Sequence, residues 1–212
     1  METHELIKAL AADSRRTGVP MNTAWRGAVV VAVIIAATVF SVLLGARPDI
    51  AIAAQTVRFL FKFVVTIALA ASAFFVLRML SRPEIDTRGL LPYIGIAPAL
   101  ILAGVALELI VAPADTWSSR LVGTNSLVCL TFIPLIGIGP LALLLLALRH
   151  GAPSHPTLAG AIAGLAAGGI AATFYASHCT DDSPLFVATW YTIAIAILAF
   201  VGALSGRYVA RW

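Results

Sequence analysis

Residues 127–148 read LVCLTFIPLIGIGPLALLLLAL, a run with no charged side chain. At about 1.5 Å of rise per residue, such a run forms roughly 30 Å of helix, the thickness of a bilayer's hydrocarbon core. Five more stretches of this kind lie at about 27–46, 59–80, 91–112, 157–178 and 185–206. The breaks between them hold Arg47-Pro48-Asp49, Ser81-Arg82-Pro83-Glu84, Pro113-Ala114-Asp115, Gly151-Ala152-Pro153 and Asp181-Asp182-Ser183-Pro184. These are the Pro, Gly and Asp clusters that stop regular structure. The expected fold is all-α, a polytopic membrane bundle of six transmembrane helices.

Composition excludes the other classes. Of 212 residues, 60% are hydrophobic and 11% charged, and mean hydropathy is +0.98. A soluble domain carries roughly 25% charged residues, so this chain cannot cover one core with a polar surface. The first apolar stretch starts too far from Met1, and is too long, for a cleaved signal peptide. Residues 1–24 therefore read as an aqueous tail and residues 25–212 as the membrane domain.

Positive residues fall unevenly on alternate sides of the six spans. Lys8, Arg15, Arg16, Arg26, Arg78, Arg82, Arg88, Arg149, Arg207 and Arg211 share one side, against Arg47, Arg58 and Arg120 on the other. Cytoplasmic loops collect Lys and Arg, so both termini are expected in the cytoplasm, the lipid bilayer being the first partner. The same asymmetry accounts for the net charge of +4. No basic run with interleaved aromatics is present, and no direct nucleic-acid contact is expected.

Small residues recur at four-residue spacing as Gly160, Gly164 and Gly168, then Gly202 and Gly206. Such stripes let helix backbones approach closely in lipid. Pro134, Gly137, Gly139 and Pro140 predict a kink in the fourth span.

Polar residues at membrane depth need partners. Lys62 and Glu108 each fall about one turn below the same outer surface, so they either snorkel separately or form an ion pair. Cys129 opens the fourth span and Cys179 follows the fifth, at matching depth on the outer side, with His178, Asp181 and Asp182 beside them. Thiolates with an imidazole and carboxylates suit zinc, cadmium or a related ion. In an oxidising compartment the same two thiols form a disulfide, and two buried, inert cysteines are the plainer alternative. No cofactor is expected beyond a regulatory metal ion at this place. In the tail, Leu6, Ile7 and Leu10 share one face of a short helix that Gly18 and Pro20 end.

Several motifs are more specific. Asn125-Ser126-Leu127-Val128-Cys129-Leu130 leads to Ile133-Pro134, then Ala147-Leu148-Arg149 and Gly151-Ala152-Pro153. The stretch Tyr175-Ala176-Ser177-His178-Cys179-Thr180-Asp181-Asp182-Ser183-Pro184-Leu185-Phe186 precedes Thr189-Trp190-Tyr191 and a terminal Arg211-Trp212. Together these resemble the NrsF family, negative regulators of sigma-F, which are six-span anti-sigma factors of the bacterial inner membrane. The tail residues Leu6, Ile7, Leu10 and Asp13 resemble that family's start. The resemblance implies an extracytoplasmic-function sigma factor as partner, held by the N-terminal segment. It also implies release on heavy-metal or oxidative stress through the cysteines at 129 and 179, without catalysis. The competing reading is a small membrane transporter or channel, against which stands a midplane nearly free of ionisable groups. Neither the motifs nor the spacing assigns an oligomeric state.

Overall fold

The structure, a computed structural model, describes residues 3–5, 7–8, 21–83 and 87–209. Among the described residues every regular element is helical. Six helices are long and apolar enough to cross a membrane. They are α1 (Met21–Leu43), α2 (Val57–Leu80), α3 (Leu91–Val111), α4 (Ser126–Leu148), α5 (Pro156–Ala176) and α6 (Pro184–Val209). Two short helices, Ile50–Ala53 and Trp117–Val122, sit in the α1–α2 and α3–α4 connections.

The breaks work as their residues dictate. Thr56 caps α2, its hydroxyl accepting from the Phe59 amide at 3.4 Å. Pro156 and Pro184 open α5 and α6, where a missing N–H leaves nothing unsatisfied. Gly123 ends the short helix Trp117–Val122 at φ +58°, a conformation costly for any residue with a Cβ. The observed ends lie close to the apolar runs except in α1, which begins at Met21, inside the segment assigned to the tail. The reason is packing: Trp25 is buried and meets the Phe74 ring of α2 edge-on at 5.8 Å. That contact extends the helix past its hydrophobic stretch.

Helix α5 is the centre of the bundle, packing most extensively on α6, then on α2 and α4. Its composition explains the position. A Cβ built on Gly160 would lie 2.1 Å from the carbonyl oxygen of Gly202, and one on Gly202 would lie 2.2 Å from that of Gly160. Backbone therefore touches backbone across α5 and α6, as the small-residue stripe predicts. Helix α1 rests mainly on α4, where Gly139 admits the Ile35 side chain. Large apolar side chains such as Ile34, Val64, Leu102, Ile138 and Phe200 remain exposed, the pattern expected of lipid-facing surfaces. Helix α6 contains a π-helical turn at Val187–Tyr191, which lies at the end of the bundle that holds both cysteines.

Candidate functional site at the cysteine end of the bundle

The loop from Ser177 to Ser183 joins α5 to α6, and nearly every residue in it is tied to a different element. The Arg47 amide donates to the Ser177 carbonyl at 3.0 Å. His178 Nδ1 lies 3.0 Å from the Gly45 carbonyl oxygen. Asp181 Oδ2 accepts from the backbone amides of Thr124 at 3.0 Å and Asn125 at 2.8 Å. Asn125 is the residue before α4, so this carboxylate sits at the positive end of that helix. Asn125 also donates through its side chain to Thr180 Oγ1 at 2.9 Å.

Lys62 is fully buried. A buried ammonium persists only where charge and hydrogen bonds replace its water. Its Nζ donates to the Cys179 carbonyl at 2.8 Å, lies 2.5 Å from Asp182 Oδ1 and sits 5.2 Å from the centre of the Phe59 ring. Arg47 completes the clamp, with Nη1 3.1 Å from Asp182 Oδ2 and a bidentate pairing to Asp49 at 2.6 and 2.7 Å. Asp49, with Asp182 behind it, holds the Arg47 guanidinium above its usual range, and Arg47 holds the Asp49 carboxyl below its own.

Lys62 and Glu108 neither snorkel nor pair with one another: both are buried, each with its own partners. Glu108 is buried near the end of α3 and serves the start of α6. Its Oε2 accepts from the Ser183 hydroxyl at 2.6 Å and from the Leu185 amide at 3.1 Å. Arg120 at 3.1 Å and Arg58 at 3.7 Å supply the countercharge to Oε1. The two residues share a depth but face different neighbours. The start of α6 is capped by Ser183 and Glu108, with Asp181 and Asp182 engaged elsewhere.

Beneath the loop lie the thiols. Cys129 and Cys179 are free, fully buried and members of one hydrophobic cluster. Tyr175 and Tyr191 lie in the same cluster, their rings edge-on at 5.6 Å. The Tyr191 hydroxyl is buried beside Cys179. The Cys179 thiol lies 3.7 Å from the Asp181 carbonyl oxygen. Burial pushes this thiol above the ordinary range, and the nearby Lys62 ammonium offsets only part of that rise.

The structure thus brings Cys129 and Cys179 together and holds the proposed metal ligands elsewhere. His178 faces Gly45, Asp181 faces the start of α4, and Asp182 faces Lys62 and Arg47. Among the described residues no group of three or more His, Cys, Asp or Glu side chains is arranged to hold a metal ion. In the tail, residues 3–5 and 7–8 are helical and Ile7 is exposed. Leu6, Leu10 and Asp13 lie outside the described residues.

Sequence reasoning treated Arg47, Arg58 and Arg120 only as topology charges and missed their work on the loop and on Glu108. The signal for Ser183 was available, since Ser-Pro before an apolar run marks a helix start. The roles of Arg47 and Lys62 had none, because both reach partners more than a hundred residues away.

The fold and the site define a six-span helical membrane protein built around a buried thiol pair beneath a clamped loop. The family described as negative regulator of sigma F matches residues 10–212, and the chain belongs to this NrsF family. It is 34% identical to the anti-sigma-F factor NrsF of Caulobacter vibrioides (strain NA1000 / CB15N), with both chains covered in full. It is 31% identical to the probable anti-sigma-F factor NrsF of Azospira oryzae (strain ATCC BAA-33 / DSM 13638 / PS), again over the whole of both. No solved structure matches the chain.

Proposed function

We propose that the chain is a membrane-embedded anti-sigma factor of the bacterial inner membrane, regulatory and without catalysis. It holds an extracytoplasmic-function sigma factor through its cytoplasmic tail and releases it when Cys129 and Cys179 react on the outer side. The full-length match to two proteins named as anti-sigma-F factors carries this reading. The topology rests on the ten-to-three distribution of positive residues. A contribution of Leu6, Ile7, Leu10 and Asp13 to the sigma contact is part of the proposal, in the manner of an amphipathic helix entering a groove.

The input is thiol chemistry. Joining the two sulfurs removes two protons and two electrons, both taken by an oxidant. A soft ion such as cadmium, held by the two sulfurs, displaces the thiol protons instead. With His178, Asp181 and Asp182 engaged, a fuller ligand set forms only if the 177–183 loop lets go. Either chemistry biases the bundle only if it favours one arrangement over another.

Co-purification of the sigma factor from membranes tests the output. Intact chain should retain it, a chain lacking residues 1–24 should not, and cadmium or peroxide should release it from the intact chain alone. Retention by the truncated chain would refute the tail's role. A double Cys129→Ser, Cys179→Ser variant that still releases would refute the input. A reporter fused after Trp212 should be active only in the cytoplasm.

A further inference from the structure

At the opposite end of the bundle, where α1 begins and α2 ends, a crevice of about 520 Å³ opens between the two helices. Trp25, Arg78, Arg82, Asn22 and Ser81 line it, and no carboxylate does among the described residues. Trp25 is 2% exposed, and its indole N–H is buried with no hydrogen-bond partner. A buried donor left unmade is costly, and this one belongs to a residue that lines the crevice. Arg78 is held in place by the Asn22 side-chain oxygen at 3.0 Å. Guanidinium groups pair with phosphate through two parallel N–H bonds.

We propose that this crevice binds a phosphate group, with Arg78 and Arg82 supplying charge and the Trp25 N–H supplying a directed donor. Its place at the ends of two spanning helices is the level at which lipid headgroups lie. Basic pockets between spanning helices hold such headgroups. The phosphate of an anionic lipid and a free inorganic phosphate present the same chemistry. This proposal is independent of the sigma-factor reading.

Native mass spectrometry of the full chain tests it, with three probes added in turn. These are dioleoyl phosphatidylglycerol, dioleoylglycerol with the same acyl chains and no phosphate, and inorganic phosphate. Retention of phosphatidylglycerol should exceed that of dioleoylglycerol by about tenfold, the effect of one charge-assisted contact. Trp25→Phe keeps the ring and removes the donor, and should weaken retention about fivefold. Arg78→Gln with Arg82→Gln should abolish the preference. Arg82 is exposed, so Arg82→Gln alone serves where the double variant does not fold. A phosphate adduct that competes with the lipid and is lost in the same variants keeps the site and makes the free ion its occupant. Equal retention of the two dioleoyl lipids without a phosphate adduct would overturn the proposal. So would a phosphatidylglycerol preference that all variants preserve.

Discussion

Lys62 of α2 and Asp182 of the α5–α6 connection form an ion pair at 2.5 Å, with the lysine fully buried. The same ammonium donates to the carbonyl of Cys179, so one charge fixes both the backbone above the thiol and the acid beside it. Lys62→Met strips Asp182 Oδ1 and the Cys179 carbonyl of their shared cation while Arg47 stays on Oδ2, and should cost about 1–3 kcal/mol. The expected outcome is a lower thermal midpoint in detergent together with faster alkylation of Cys179. Adding Asp182→Asn should recover part of the stability, because a neutral amide needs less countercharge than a carboxylate and Arg47 keeps Asp49. A Lys62→Met protein with unchanged midpoint and labelling would contradict the clamp.

In the resting arrangement the buried thiols should be closed to a bulky alkylating agent. At pH 7.5 a maleimide should label neither cysteine in the folded protein and both in denaturant, read by intact mass. The raised Cys179 thiol also sets a pH dependence. Unfolded thiols lose their protons above about pH 8.5, whereas the folded protein keeps this one, so the folded state binds more protons there. Its contribution to stability is complete below about pH 8.5 and declines as pH rises. Cys179→Ala should flatten that decline, and an equal slope in both proteins would count against it.

Helix α6 depends on a cap supplied from another span. Ser183→Ala removes a hydroxyl at its start and should cost about 1 kcal/mol. Glu108→Ala should cost more, since Ser183, the Leu185 amide and Arg120 each lose one acceptor and Arg120 its countercharge. Glu108→Gln keeps an acceptor but not the charge and should fall between them. Denaturant unfolding followed by circular dichroism gives the order, and equal losses for all three would disprove this role.

The contact between α5 and α6 tolerates no added atom. Gly160→Val or Gly202→Val must separate two backbones and should destabilise by about 3 kcal/mol or more. Gly27→Ala, where a Cβ meets nothing within 4 Å, should be near neutral. Monodispersity after extraction and thermal unfolding report both.

The spans and the glycine contact were legible because each is a local periodic property: an uninterrupted apolar run and a four-residue spacing. The cysteine pair was legible because topology brings residues 129 and 179 to one end. What escaped was azimuth. Hydropathy gives the depth of Lys62 and Glu108 but not the direction each faces around the bundle, and neither the pair nor the separate snorkelling it left open occurs. The start of α1 escaped because Trp25 is held by a ring on another helix, which no hydropathy window contains.

Helix α1 has most of its packing on α4, the helix that carries Cys129. Cys179 belongs instead to the end of the α5–α6 pair, whose backbones lie in contact. The two sulfurs therefore sit on separate members of one packed core, Cys129 on the helix that carries α1 and Cys179 at the end of α5, against which α4 itself packs. A bond or ion drawn between them, the input proposed above, would load α4 against α5, and any shift of α4 that followed would be carried by α1 toward the other end of the bundle.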